Sequence, residues 1–552
     1  MRRIAGVLVA LALASAAMAA APAAPKPKAP PAEAAALPTL ADLVKRGQET
    51  SERVAGGKGN VWWTTELSVQ SVRFEARTTV LGDKRKRTLR IPQKDGTSAE
   101  VVAIVEQDGA WYVREFGKPL GKYRPFEAPL GFPNAYLMLE AGDLKVLPAD
   151  TVGKVLAVNT GPGPLQCATV QVALSAPQRA QVAANIAPMR EMLGKMGDRP
   201  GTEKYKESIA QLEALVEKGR VVEVDVASGV LMRSECLTIT TEITSFSTAG
   251  TVTPDHFNLG DGPWKDVTGD PTLDKNLNNL IMLANAPMAT LDNAERFKNA
   301  ADARLVNLGT REVRRIPFRG ASCITGCFSR DRRKVYVSGL DPDSAGVALF
   351  EVDLSTGANR RIGADGLPPG MAMGPALSPD GGTLAIMMFS PNLMSQVCLV
   401  DLKTGTVRKL GAPLDTAFVS WLDDGTGLIL ITRKYTSMEK PSEDSLARMD
   451  LDGKVTVLAA GGNPVVIPGR KKILFEQDRG WSTCDLDGKD PQAYAEGMKG
   501  CGFPAVSADG KRVVWMRFQE GQLPQPVVEA FGETKVEALD LGGGFWATPA
   551  WR

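Results

Sequence analysis

A single histidine, His256, and seven cysteines (167, 236, 323, 327, 398, 484 and 501) hold most of the reactive chemistry in this 552-residue chain. One imidazole rules out a multi-histidine zinc site, and a Ser-His-Asp relay would have to be built on His256 alone. His256 reads instead as a turn cap. No Gly-x-Ser-x-Gly elbow is present. No Cys-x-x-Cys pair occurs, so neither a zinc knuckle nor a dithiol redox site is encoded. An odd cysteine count leaves at least one thiol unpaired. Cys323 and Cys327 could join only across a turn at Thr325-Gly326. Two carboxylate groups, Asp341/Asp343 and Asp485/Asp487/Asp490, have oxygen ligands for Ca²⁺. Both lie in turn contexts that select Asp for its own backbone hydrogen bonds. No spacing singles out a glycosidase pair.

With 65 basic and 63 acidic residues, the chain carries no global nucleic-acid footprint. A local basic run, Lys84-Arg85-Lys86-Arg87, reads as a solvated hairpin tip. The start of the chain is an address rather than a fold. Met1-Arg2-Arg3, an apolar run over 4–14 and Ala17-Met18-Ala19 form a signal peptide over 1–20. No cysteine stands at the junction to take a lipid. Residues 21–38 are an Ala/Pro-rich linker. No other stretch has the length and apolarity of a membrane span. The expectation is a periplasmic or secreted protein that does not span the membrane.

At this length more than one domain is expected. The second half repeats. Phe328-Ser329-Arg330-Asp331, Ala376-Leu377-Ser378-Pro379-Asp380-Gly381, Trp421-Leu422-Asp423-Asp424-Gly425, Ile467-Pro468-Gly469 and Val506-Ser507-Ala508-Asp509-Gly510 each precede a short apolar run. The chain ends on Pro549-Ala550-Trp551-Arg552, which matches the first strand of one more unit. Equivalent positions fall at 329, 378, 422, 467, 507 and 552, a period of 40 to 49 residues. A period of this size with four short strands per unit is that of a β-propeller. A second turn recurs in each unit, as in Asp353-Leu354-Ser355-Thr356-Gly357 and Asp401-Leu402-Lys403-Thr404-Gly405. The region over 279–316 reads as a unit lacking its first strand. Pairing the C-terminal strand there would remove two open edges and give six blades. The Ser-Pro-Asp-Gly and Asp-Leu-x-Thr-Gly repeats resemble the six-bladed TolB-like propellers of bacterial periplasmic proteins over about 265–552. The unit at Ile467 departs, with Pro-Gly-Arg-Lys in place of Pro-Asp-Gly-Lys.

The first half reads differently. Leu40, Leu43, Val44 and Val54 predict a short helix. Trp63, Thr65, Leu67 and Val69 then alternate as one face of a strand. A hairpin turns at Gln107-Asp108-Gly109. Later strands are predicted over 136–139, 168–174, 221–226 and, as one long strand, 231–246, with Leu237, Ile239 and Ile243 on one face. Between them a helical hairpin spans 176–219, opened by a Ser175/Gln178 capping box, kinked at Pro188 and closed by Gly219. The Asp108-Gly109-x-Trp111 turn, the helical insertion, the run from Val222 to Arg233 and the ending Val252-Thr253-Pro254-Asp255-His256-Phe257-Asn258-Leu259 look like the LolA-like lipoprotein-carrier superfamily over 39–264. That resemblance implies a closing strand and turn at 252–259. It also implies an incomplete antiparallel barrel that holds an acyl chain, here lined by Trp63, Leu67, Val69, Trp111, Leu237 and Ile239. The same residues also read as plain core.

The expectation is therefore a mainly β protein: a LolA-like half-barrel, then a six-bladed propeller closed by the C-terminal strand. Its function would be non-catalytic, with no cofactor and no metal. The half-barrel would bind a lipid or acyl chain, and the propeller face an envelope protein or peptide. The alternatives are an enzyme with a carboxylate- or Ca²⁺-dependent site in the propeller funnel, and a structural envelope scaffold.

Overall fold

The computed structural model describes residues 37–551 apart from 56–59, 70–71, 94–96, 131–134, 162–164, 197–201, 237–238, 248–251, 260–263, 267, 269–278, 286–301, 319–322, 341–346, 364–365, 369, 390–394, 417, 435–442, 479, 495–497, 499, 520–523, 534 and 542–544. The expected signal peptide and nearly all of the linker lie outside the described residues, as do Asp341, Asp343 and Leu237. The chain divides into two compact units; residues up to Thr268 form the first, except for 126–134.

The first unit opens with helix α1 (Leu40–Ala55). Eleven strands follow: β1 (Asn60–Val69), β2 (Val72–Leu81), β3 (Lys84–Pro92), β4 (Ser98–Gln107), β5 (Ala110–Glu115), β6 (Lys118–Tyr123), β7 (Gly153–Thr160), β8 (Gln166–Val172), β9 (Arg220–Asp225), β10 (Leu231–Cys236) and β11 (Ile239–Ser247). They make one antiparallel sheet in the order β6-β5-β4-β3-β2-β1-β11-β10-β9-β8-β7. Helix α2 (Ala135–Ala141) lies between β6 and β7, and helices α3 (Ala176–Met196) and α4 (Thr202–Lys218) between β8 and β9. Period-two patterning sets the strand faces. On β1, Val61, Trp63, Thr65 and Leu67 are buried while Trp62, Thr64, Glu66 and Ser68 are less so. Leu43 of α1 is buried among Ala168, Val170, Val222 and Val224.

Four sequence readings need correction here. The strand expected at 136–139 is helix α2, because Leu, Met, Glu and Ala are all strong helix formers. The long strand expected over 231–246 is two strands, β10 and β11, paired antiparallel, so Leu237, Ile239 and Ile243 do not share one continuous strand face. The basic run is not a hairpin tip: it opens β3, directly after a turn at Gly82-Asp83. Alternation therefore buries Arg87, whose Nη2 lies 3.2 Å from Asp143 Oδ2. Of the closing strand and turn expected at 252–259, the described residues show the turn and no strand: a 3₁₀ turn (Pro254–Phe257) with Pro in its first turn, where His256 caps as expected, its ring accepting from the Thr253 N–H at 3.1 Å. The helical hairpin keeps its expected ends. Ser175 and Gln178 exchange hydrogen bonds, and Gly219, at φ 71°, donates to the Leu215 carbonyl. Helix α3 runs on through Pro188.

In the second unit, five four-stranded blades are each built from consecutive strands. They are β15–β18 (Cys323–Phe328, Lys334–Leu340, Val347–Asp353, Asn359–Ile362), β19–β22 (Met371–Leu377, Thr383–Phe389, Ser395–Asp401, Val407–Leu414) and β23–β26 (Val419–Trp421, Gly427–Lys434, Glu443–Asp450, Val455–Ala460). The last two are β27–β30 (Gly462–Ile467, Lys472–Gln477, Gly480–Asp485, Gln492–Ala493) and β31–β34 (Cys501–Val506, Arg512–Arg517, Gln525–Ala530, Val536–Ala538). Five such blades stand where the sequence reading counts six. The remaining four-stranded sheet is composite: β12 (Asn279–Asn285), β13 (Asp302–Asn307) and β14 (Val313–Arg315) take the C-terminal strand β35 (Phe545–Ala550) as their fourth member. β35 pairs antiparallel with β12, placing Ala550 opposite Ile281.

The repeated turns explain the motif. Ser378 Oγ donates to Asp380 Oδ1 at 2.5 Å and accepts from the Thr383 N–H at 2.9 Å. Ser329 with Asp331, and Ser507 with Asp509, repeat the arrangement. These bonds hold Asp331, Asp380 and Asp509 below the ordinary carboxylate range, the serine hydroxyl being the first cause in each case. Residues 126–130, between β6 and α2 in sequence, belong to this second unit. The Glu127 carbonyl accepts from the Arg315 N–H at the outer strand β14, and the Leu130 carbonyl accepts from Arg304 at 2.6 Å.

Candidate functional site

In four of the five blades the first strand breaks its register once, the exception being β23. β-bulges fall between Cys323 and Thr325, Met373 and Ala376, Gly462 and Val465, and Gly502 and Ala505. Four residues before each sequence anchor stand Thr325, Gly374, Phe418, Asn463 and Phe503. Four of the five have a left-handed backbone: Gly374 at φ 62°, Phe418 at 62°, Asn463 at 48° and Phe503 at 51°. Glycine and asparagine tolerate that region, whereas for a bulky side chain it is a strained conformation costing about 1–3 kcal/mol. The two phenylalanines meet. Phe418, just before β23, and Phe503, on β31, lie with ring centroids 6.4 Å apart and planes at 63°. They come from blades separated by the blade that carries Asn463. Phe418 remains 38 % exposed. Phe503 also lies 6.1 Å from Phe518.

Polar residues stand at the same position of other blades. Asn463 Nδ2 donates to Glu476 Oε2 at 2.6 Å. Burial raises the Glu476 carboxyl above its ordinary value, and the charge of Asp444 adds to that shift. Arg433 forks onto Asp444 through Nε at 2.9 Å and Nη2 at 3.3 Å. On the Thr325 side, the hydroxyl of Thr325 accepts from the Gly374 N–H at 2.9 Å, joining neighbouring blades. The arrangement offers two aromatic faces and a carboxylate held by one amide donor. Such a set can bind but holds no nucleophile–base pair. Among the described residues no group of three or more His, Cys, Asp or Glu is placed to hold a metal ion. The Asp485 carboxylate accepts from the N–H groups of Asp487 and Lys489, as its turn demands.

A separate cleft of about 790 Å³ lies between the β19–β22 and β23–β26 blades, lined by Asp380, Asp401, Arg408, Trp421 and Asp424 among others. The carboxyls of Asp380, Asp401 and Asp424 each bond within their own turns. In the first unit, the residues expected to line an acyl cavity are placed as follows. Trp63, Leu67 and Trp111 are buried, and Trp63 Nε1 donates to the Gly142 carbonyl at 2.8 Å. The Arg87 guanidinium lies 5.8 Å from the centre of the Trp111 ring. Val69 is opposite Ile239 in the β1/β11 ladder. A cleft of about 120 Å³ in this unit is lined by Lys86, Tyr112, Arg114 and Trp264 rather than by any of these.

The ring of residues at this offset was missed in the sequence. Its signal was the fixed offset of four residues before each anchor, with phenylalanine at two positions where glycine and asparagine stand at others.

No family model matches the chain, and no curated protein matches it. Among solved structures it is similar to TolB from Acinetobacter baumannii, at 15% identity and a TM-score of 0.39, covering 60% of this chain and 78% of that one. A putative TolB from Agrobacterium tumefaciens gives 17%, 0.38, 49% and 91% for the same quantities. An oligogalacturonate lyase from Vibrio parahaemolyticus gives 16%, 0.32, 43% and 70%. The likeness is one of fold alone and assigns no activity, ligand or partner.

Proposed function

We propose that this chain is an exported, non-catalytic binding protein of the cell envelope whose propeller receives a protein or peptide at its inner-strand ring. The observation that carries the reading is the contact between Phe418 and Phe503. Aromatic side chains are held there in a backbone region that penalises them, and one is left partly open to solvent. A residue kept at a conformational cost without full burial is better accounted for by binding than by packing. The composite sheet counts, in this reading, as a sixth blade that closes the ring. Its support is the cyclic order in which the first strands touch: β15, β19, β23, β27, β31, β35 and β15 again. The signal peptide expected at 1–20 from the sequence supports a place in the periplasm or outside the cell.

The first unit is proposed as a LolA-like half-barrel for a lipid or acyl chain. Its support is a single antiparallel sheet of eleven strands whose end strands β6 and β7 are not paired with each other among the described residues. Native mass spectrometry of the full-length protein tests this part: a co-purified lipid supports it, and a ligand-free spectrum from envelope-expressed protein counts against it. For the propeller, a photo-cross-linking amino acid replaces Phe418 in the envelope of the producing cell. The same probe at Val457, 62 % exposed on the outer strand β26, is the control. Adducts confined to position 418 support the inner ring as the binding face; equal or absent adducts at both positions refute it.

A further inference from the structure

The ring holds two kinds of group at equivalent positions of neighbouring blades, and together they select a ligand class. Asn463 stands between the two phenylalanines in blade order, and its amide is bonded to Glu476 at 2.6 Å. Among the described residues no basic side chain pairs with Glu476. The nearby guanidinium of Arg433 is engaged by both oxygens of Asp444. A half-buried carboxylate with one neutral donor is under-compensated, and a cation brought to it would be bound by charge and by hydrogen bonding. The phenylalanines hold the equivalent position one blade to either side of Asn463, and their rings favour the same guest, because a π-face attracts an ammonium while its apolar surface accepts hydrocarbon.

We propose that the ring binds a cationic amphipathic group, an ammonium carried next to an apolar side chain, as a peptide presents at a lysine or a free N-terminus beside an aromatic or aliphatic residue. The apolar part lies against Phe418 and Phe503, and the ammonium pairs with Glu476. This rests on the proposed binding face and adds the chemistry that it selects. It also explains why the inner ring has Asn, rather than Gly, at position 463: the amide fixes the carboxylate while tolerating a left-handed backbone.

Phenethylammonium is the probe, titrated into the full-length protein by calorimetry, with N-acetylphenethylamine as its uncharged counterpart. The expected result is saturable binding of phenethylammonium and binding at least tenfold weaker for the amide. Phe418→Gly and Glu476→Gln each weaken phenethylammonium by roughly tenfold, about the worth of one cation–π or charge contact. Val457→Ala leaves it unchanged. Phe418→Leu, which keeps an apolar side chain but no ring, guards against loss of fold and weakens the probe as well. Equal binding of the charged and uncharged probes, or full affinity in Glu476→Gln, overturns the proposal. Cross-linking from position 418 without phenethylammonium binding would leave the binding face standing and reject the ligand class. Phenethylammonium binding without cross-linking would do the reverse.

Discussion

The guanidinium of Arg512, on β32 of the last continuous blade, lies 4.7 Å from the centre of the Trp551 ring. Trp551 is buried with Val306 and Leu308 of the composite sheet and with Ala505, Val514 and Met516 of that blade. The end of the chain thus fills the seam between two sheets that are far apart in sequence. Trp551→Ala should cost about 3–5 kcal/mol, and deleting residues 545–552 should cost more. The check is the melting temperature, expected to fall by several degrees for the first variant. An unchanged melt would show that the seam does not depend on this ring.

Glu127 is 3 % exposed and reaches Arg314, itself largely buried, at 3.8 Å. Glu127→Ala should destabilise the propeller by about 1–3 kcal/mol: it removes one of two carboxylates beside a largely buried guanidinium, which keeps Glu312 Oε1 at 3.1 Å. Chemical denaturation followed through the fluorescence of Trp421, Trp481 and Trp515 reads this out. A loss below half a kcal/mol would make residues 126–130 a passive segment.

Glu529 is buried, with Oε1 accepting from Tyr494 Oη at 2.7 Å and Trp515 Nε1 at 2.9 Å. Burial raises its carboxyl above the ordinary value, and the two donors offset this only in part. A raised carboxyl means that the fold binds a proton the unfolded chain has released. Its contribution is present below the unfolded value, about 4.3, and is lost as pH rises towards the folded value. Glu529→Gln should therefore flatten the decline of stability above about pH 4.3. The turn aspartates act in the opposite sense. Asp331, Asp380 and Asp509 are depressed, so their contribution is present above about 3.9 and is lost as pH falls through their lower folded values. Melting temperatures of Glu529→Gln and of Asp380→Asn against pH should change slope at opposite ends of the range. Parallel curves for both variants and the unaltered chain would contradict this.

Cys167, Cys327, Cys398, Cys484 and Cys501 are buried free thiols. Burial pushes Cys327 up to about 12 and Cys167, Cys398 and Cys484 up to about 11. Thiolates are the reactive form. Iodoacetamide at pH 8 should label none of the five in the native protein and all of them after unfolding, as peptide mapping will show. Native labelling at Cys327 would mean that its blade opens.

The propeller was legible because its turns are set by local chemistry. Ser378 and Asp380 build the same bonds as Ser507 and Asp509, so the period could be counted from residue types, and the chain's final tryptophan pointed to the sheet that lacked a strand. The helix at 135–141 was not legible. Tyr136-Leu137-Met138-Leu139 is apolar throughout, and a run this short has no period to tell helix from strand. The β10/β11 hairpin was hidden for a similar reason: residues 231–246 lack a strong turn dipeptide. Arg87 was read as surface because its neighbours are basic, yet alternation on β3 turned it inward to Asp143. Of the candidate site, Phe418 and Phe503 looked like ordinary strand residues. Only their backbone angles and their contact mark them out.

The most direct test of the inner-ring account is the stability of Phe418→Gly measured beside its capture of a partner through a photo-cross-linker at Thr325. The account predicts a melting temperature unchanged or raised, because glycine relieves a left-handed backbone at a side chain 38 % exposed, together with loss of the cross-linked adduct. A melting temperature lowered by several degrees, as for loss of a core phenylalanine, with the adduct retained, would contradict it.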